Sequence, residues 1–318
     1  MSSVNIKRRL RPGRKATIGI PYVWLVLFFL LPFLVVLKIS LAEQDVSIPP
    51  FTPLFDQNGS LHIVWQNYKD IFADFWASVA AILAGKPNSE VPNTAVLTYW
   101  LSVKTALSTT LICLLVGYPM AYAISRARPS VRSGLLMAVM LPFWTMLLLR
   151  VYAWMGLLSR NGIINNLLLD LGLIKEPLDL FYNTFSLNLV MVYAYLPFMI
   201  LPLYSHLVKM DNRLLEAAAD LGAHPVKAFF TITLPLSKAG IIAGSMLVFI
   251  PAVGEYVIPE LVGGTDNLMI GKVLWNVFFN DNDWPRASAM AVVMVLLLVV
   301  PMVLFQRYEE RGLEKGKE

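Results

Sequence analysis

Charge is scarce in this sequence. Only 15% of its 318 residues are Asp, Glu, Lys or Arg, where a soluble domain carries about a quarter. Apolar residues make up 57% and gather into long runs, which excludes an ordinary soluble domain and indicates a polytopic membrane protein. Cysteine is nearly absent: Cys113 stands alone within one of those runs, so no intramolecular disulfide forms. His62, His206 and His224 lack the spacing of a metal site. No Ser-His-Asp arrangement or paired catalytic carboxylates appear, which leaves a membrane-bound enzyme the least supported class. A nucleotide site is missing as well. In Gly264-Thr-Asp-Asn-Leu-Met-Ile-Gly-Lys272, six residues separate the glycines instead of four, and Val273 stands where Ser or Thr is required. The net charge of +5 comes from basic residues flanking the apolar runs and gives no reason to expect nucleic acid as a partner.

Six apolar segments are present, at about 18–42, 100–124, 135–158, 185–207, 237–257 and 287–306. Each is near the ~20 residues a helix needs to cross ~30 Å of hydrocarbon. Backbone groups in lipid must be satisfied internally and no barrel-like alternation is visible, so an all-α, six-helix membrane protein is expected. Pro32, Pro119, Pro142, Pro197, Pro202 and Pro301 fall within or at the ends of these segments, and kinks are expected there. The basic n-region before the first segment is of the kind that opens a signal peptide. The length of that segment, with no small-residue cleavage site after it, predicts a retained first span.

Orientation follows from Lys and Arg. Sixteen of them lie in the N-terminal tail (Lys7, Arg8, Arg9, Arg11, Arg14, Lys15), the 125–134 loop (Arg126, Arg128, Arg132), the 208–236 loop (Lys209, Arg213, Lys227) and the C-terminal tail (Arg307, Arg311, Lys315, Lys317). Only six lie in the other loops, 43–99, 159–184 and 258–286. Both termini are therefore expected in the cytoplasm. The outer loops hold thirteen acidic residues, among them Asp45, Asp56, Asp74, Glu260 and Asp281. That is either the complement of the positive-inside bias or a surface that attracts cations or a basic partner. Ile163, Leu167, Leu168 and Leu171 have helical spacing and predict a short interfacial helix.

The cytoplasmic stretch Glu216–Pro235 differs from its surroundings. Asp211 or Asn212 can cap a helix with Glu216 in its first turns. Ala217, Ala218 and Ala219 give that helix a surface that admits close approach. Gly222 suits the position past its end, and Pro225 the first position of a second helix that carries Phe229 and Phe230. The order E-A-A, three residues, G, nine residues, I, one residue, L-P is filled by Glu216, Ala217, Ala218, Gly222, Ile232, Leu234 and Pro235. This resembles the EAA motif of bacterial binding-protein-dependent ABC importer permeases, and the likeness covers essentially the whole chain. More narrowly, Arg150-Val-Tyr-Ala-Trp-Met-Gly156, Tyr193-Ala-Tyr-Leu-Pro-Phe-Met199 and the stretch from Gly240 to Leu261 resemble polyamine (putrescine/spermidine) transport permeases.

The resemblance implies a type I, MetI-like permease core in the bacterial inner membrane. Its parts would be a basic tail (1–17), a first helix (18–42), a periplasmic loop (43–99), a permease domain (100–306) and a short tail (307–318). It also implies that the EAA loop, 208–236, is a coupling element that docks on a separate ABC ATPase, itself a dimer. ATP and Mg then belong to that partner, with no cofactor or metal on this chain. A second, homologous permease chain and a periplasmic substrate-binding protein are implied partners, alongside the lipid bilayer.

Ionisable residues within spans default to functional hypotheses. Lys38, Lys104 and Lys238 fall near span ends, where they snorkel. Arg150 lies about 22 Å along the third segment and Glu255 about 27 Å along the fifth, at ~1.5 Å per residue, so an ion pair between them is expected. A polyamine substrate would need a carboxylate, which Glu255 offers, and aromatic faces, which Tyr152, Trp154, Tyr193, Tyr195 and Tyr256 offer. Taken singly, each aromatic also suits an interfacial anchor. Competing readings are an importer for ferric iron, thiamine or an opine-like solute, and a self-sufficient channel or secondary transporter.

Overall fold

The computed structural model describes residues 12–54 and 62–315. Lys7, Arg8, Arg9, Arg11, Asp56 and Lys317 lie outside them, as do the side chains of Arg14, Lys15, Pro301, Arg307, Arg311 and Lys315. The described residues are helical, with no strand among them beyond an isolated antiparallel bridge between Gln44 and Phe51. They divide into two compact units, residues 1–71 with 276–318, and residues 72–275.

Among the described residues, three helices are long and apolar enough to cross a membrane: Thr17–Ser40, Thr94–Arg126 and Thr184–Leu207. Two further pairs of helices qualify only if each pair is counted as one span, and Trp284–Val300 is a shorter apolar helix. The expectation of six continuous spans thus becomes three continuous helices, two broken ones and one short one.

Local chemistry explains where the helices start and stop. The 33-residue Thr94–Arg126 helix begins at Asn93, whose side chain accepts from Ala95 N (2.8 Å) and Val96 N (3.4 Å). Thr184–Leu207 opens with a reciprocal cap in which Asn183 and Ser186 exchange side-chain and backbone hydrogen bonds at 3.0 Å. Pro119, Pro197 and Pro202 sit inside these two helices without ending them. Pro142 behaves differently. Leu141–Trp144 winds into a 3-10 turn, Thr145 and Met146 are extended, and the chain turns by 88° before Leu147–Leu158. The expected 135–158 span is therefore two helices, because the turn follows a residue that cannot donate to the helical ladder. The expected 237–257 span is broken as well. Lys238–Val253 ends at Gly254, a short helix Val257–Val262 follows, and a 65° bend at Ser237 precedes it. Ile163–Asp170 is helical, where the spacing of Ile163, Leu167 and Leu168 predicts a helix.

In the larger unit, the Thr94–Arg126, Thr184–Leu207 and Lys238–Val253 helices pack on one another. Membrane helices gain little from apolar burial against each other and rely on close packing through small residues and on hydrogen bonds. A Cβ at Gly117 would meet Met199 Cγ at 3.1 Å, one at Gly240 would meet His206 Cβ at 3.0 Å, and one at Gly244 would meet Met199 Sδ at 2.8 Å. Gly240 and Gly244, four residues apart, lie on one helix face. Ser108 donates to Asn188 across the contact (2.6 Å), and the Tyr118 and Ser237 hydroxyls are 2.8 Å apart. Leu187, Met191, Met199, Leu203 and Val248 fill the interior with no exposed surface. In the other unit the C-terminal helix packs against Leu31–Ser40, and Trp284 stacks on Phe278 with ring centroids 4.9 Å apart.

Candidate functional site

The residues that the sequence singles out fall into two groups, both in the larger unit. The first is the Glu216–Pro235 segment. Arg213–Asp220 forms a helix that ends as a glycine-terminated helix should: Ala223 N donates to Ala218 O (2.9 Å), Gly222 N donates to Ala219 O (2.8 Å), and Gly222 has φ +78°. Asp211, not Asn212, receives the first amide, from Arg213 (3.0 Å). Asn212 Oδ1 instead accepts from Arg126 Nη1, at the end of the Thr94–Arg126 helix. His224 and Pro225 then start a second helix, Pro225–Ala228, which continues through a π-helical turn, Phe229–Thr233, into Leu234–Leu236.

The segment is held by one aromatic wedge. Phe229 meets Tyr118 (5.6 Å), Tyr122 (6.1 Å) and Phe230 (5.2 Å) edge-to-face, a favoured aromatic geometry. Glu216, Ala217, Gly222 and Pro235 are exposed, Ala218 is buried, and Ile232 and Leu234 are half-buried. Of the seven residues expected to couple, four are thus exposed and three are buried or half-buried. A cleft of about 220 Å³ lies inside it, lined by Tyr122, Ala219, Pro225 and Phe229 among others. That is below the ~300 Å³ of a usual small-molecule pocket. Tyr118, Tyr122 and Ser237 carry no signal in the sequence and Arg126 counts there only toward orientation, because their partners are distant along the chain.

The second group surrounds Glu255. Its carboxylate sits in the break between helices, not within one. Oε1 accepts from Val257 N (3.0 Å) and Ile258 N (3.4 Å), and Oε2 accepts from the Tyr195 hydroxyl. Arg150 does not pair with it, and no ion pair among the described residues joins the two. The 88° turn puts Arg150 in the first turn of its own helix, so depth measured along a straight span does not apply. Its guanidinium lies over Phe143 (5.3 Å), with Nε and Nη1 buried and lacking a hydrogen-bond partner. Phe143 contacts Phe198 (4.9 Å) and Phe198 contacts Tyr195 (6.2 Å), so three rings stand in series between the Arg150 cation and the Glu255 carboxylate. The remaining aromatics do not join this series. Trp154 pairs with Tyr193 (5.5 Å), Tyr256 stacks on Trp275 (4.7 Å), and Tyr152 is exposed. Phe143 and Trp275 carry no signal of their own in the sequence, and Phe198 enters it only as part of the Tyr193–Met199 stretch, because the ring contacts that single them out are tertiary.

Among the described residues no group of His, Cys, Asp and Glu has the arrangement of a metal site. Lys272, the lysine of the nucleotide-like stretch, pairs with Glu260 at 3.0 Å.

Membrane-length apolar helices packed through glycines define a polytopic membrane protein. The fold is that of the MetI-like ABC permeases: a solved bacterial ABC transporter that imports the acidic polysaccharide alginate superposes with a TM-score of 0.59, covering 93% of this chain and 94% of that one at 16% identity. The family of binding-protein-dependent transport system inner membrane components matches residues 6–315, and the chain belongs to it. It is similar to the spermidine/putrescine transport system permease protein PotB of Haemophilus influenzae, at 36% identity over 92% of this chain and 93% of that protein. It is also similar to PotB of Escherichia coli, at 40% identity over 65% of this chain and 75% of that one. As a member of a transporter permease family, the chain is a transport component and not an enzyme.

Proposed function

We propose that this chain is the transmembrane permease subunit of an ATP-driven importer that moves a polyamine, putrescine in the first place or spermidine, across the bacterial inner membrane. The observation that carries this reading is the similarity to a spermidine/putrescine permease over nearly the full length of both chains. The chain crosses the membrane six times with both termini in the cytoplasm, in keeping with the distribution of Lys and Arg. A separate ATPase dimer, holding ATP and Mg, docks on the exposed face of the Glu216–Pro235 bracket. A second permease chain completes the pathway, and a periplasmic binding protein delivers the solute. The Phe229 wedge and the Tyr118–Ser237 contact support a bracket that moves as one body with the helices on either side, as alternating access requires.

Co-reconstitution of the chain with its ATPase, second permease and binding protein tests this. ATP-dependent uptake of putrescine or spermidine is expected, and none without the ATPase. Uptake by the purified chain alone would make it a channel or secondary transporter. Uptake of ferric iron or thiamine in place of polyamines would overturn the substrate.

Within the pathway, Glu255 supplies the charge that a protonated amine meets, held by the Tyr195 hydroxyl, while Tyr256, Tyr193, Trp154, Tyr152 and Arg150 line the route at a distance from it. Glu255→Gln tests this role because it keeps an amide oxygen to accept from Val257 and Ile258 while removing the charge. A hydrogen bond to a charged group contributes ~1.5–3 kcal/mol, so polyamine uptake should fall by roughly tenfold or more in a chain that still folds and inserts in the membrane. Wild-type uptake in that variant would reduce Glu255 to a helix cap.

A further inference from the structure

Two short helices follow the break at Glu255, Val257–Val262 and Ile270–Trp275. Two side-chain contacts join them. Tyr256 stacks on Trp275 with ring centroids 4.7 Å apart, and Glu260 Oε2 lies 3.0 Å from Lys272 Nζ. Glu260 stands one turn beyond Tyr256, and Trp275 one turn beyond Lys272, so the ring pair and the ion pair are neighbouring rungs. Among the described residues, this is the ion pair that links two helices; Lys86–Glu90 joins residues four apart. We propose, resting on the polyamine reading above, that Glu260 seats a primary ammonium group of the solute and that Lys272 is the built-in occupant which the solute displaces.

A lysine side chain is a primary ammonium on a flexible four-carbon stem, which is the chemistry of one end of a four-carbon diamine. Its position on a carboxylate, one turn from stacked Tyr and Trp rings that attract cations, indicates the ligand this corner accepts. The seat can be reached from outside the chain. The Glu260 side chain is 42% exposed and Trp275 42%, against 17% for the Lys272 side chain. It also adjoins Glu255: a Cβ at Gly271 would meet the Gly254 and Glu255 carbonyl oxygens at 2.6 Å, so Ile270–Trp275 rests directly on that break. Exchanging one ammonium for another keeps the Glu260 carboxylate paired throughout, which avoids the cost of a partly buried charge left alone. The tether gives Lys272 a high effective concentration. Lys272 therefore competes with the solute and sets the affinity of the seat.

Competition of this kind gives the two halves of one ion pair opposite effects. Calorimetric titration of the purified full chain in lipid nanodiscs with putrescine measures them. Lys272→Met removes the competitor and should tighten putrescine binding by about tenfold, whereas Glu260→Gln removes the seat and should weaken it by about tenfold. Lys272→Gln should behave as Lys272→Met, and unchanged far-UV circular dichroism shows that each variant is folded. All three variants lose the same ion pair, so a clasp that only holds the helices together would shift every affinity in one direction. That result would overturn the seat, as would unchanged affinity in all three or no binding by wild type and Lys272→Met alike. Uptake by the reconstituted importer separates this from the cargo. Opposite shifts without polyamine uptake would keep the ammonium seat and overturn the transported solute. Normal polyamine uptake with parallel shifts would keep the solute and overturn the seat.

Discussion

Gly222→Val is expected to uncouple ATP hydrolysis from uptake while leaving the chain folded in the membrane. Gly222 holds φ +78°, and a Cβ placed there meets no heavy atom within 4 Å. The substitution thus adds no clash inside this chain; its cost is conformational. A side chain in the left-handed region costs about 1–2 kcal/mol, more for a β-branched residue. That is a factor of roughly 5–30 in how often the bracket holds its native turn. Because the turn sets the angle between Arg213–Asp220 and Pro225–Ala228, the face proposed to dock on an ATPase loses its shape. Uptake per ATP hydrolysed in proteoliposomes should fall by a similar factor. Gly222→Asn should be milder, since asparagine enters this region more readily. Unchanged uptake in the valine variant would remove the bracket from the coupling path.

Gly244→Val should act in the opposite way, by unfolding the helix packing and not by disturbing a turn. Its backbone is ordinary helix, yet a Cβ would sit 2.8 Å from Met199 Sδ and 3.1 Å from the Met199 carbonyl oxygen. The sulfur has nowhere to go because Met199 is fully buried, and the carbonyl belongs to a helix that cannot yield locally. Overpacking of this kind costs about 1–3 kcal/mol. The measurable results are a lower thermal midpoint in detergent and reduced yield from the membrane fraction, with Gly244→Ala in between. A normal melting profile in the valine variant would mean that the two helices slide apart at little cost.

These two glycines also show what was legible beforehand. Gly222 could be read from its neighbours, because a helix stop followed by Pro225 is a local pattern. Gly244 reads as one small residue in an apolar run, and its constraint comes from Met199 on another helix. The continuous helices Thr17–Ser40, Thr94–Arg126 and Thr184–Leu207 were visible as unbroken apolar runs. The 88° turn was not, because Pro142 looks like Pro119, Pro197 and Pro202, which helices absorb. What distinguishes it is the departure of Thr145 and Met146 from the helix, with Phe143 packed on Phe198 from another helix. Glu255 was recognised as a carboxylate in an apolar setting, but Gly254 before it marks a break. Two of its three hydrogen bonds are therefore local caps, and the third, from Tyr195, is tertiary.

The Thr94–Arg126 helix has a consequence for the membrane itself. At ~1.5 Å per residue its 33 residues measure about 50 Å, against ~30 Å of hydrocarbon. The surplus of roughly 20 Å has to be taken up by tilt or by projection beyond the acyl chains. Tyr118, Tyr122 and Arg126, which grip the bracket, all belong to the last third of this helix. Hydrophobic mismatch therefore reaches the bracket directly: a thicker or thinner bilayer changes the helix tilt and, with it, the height at which the bracket is held.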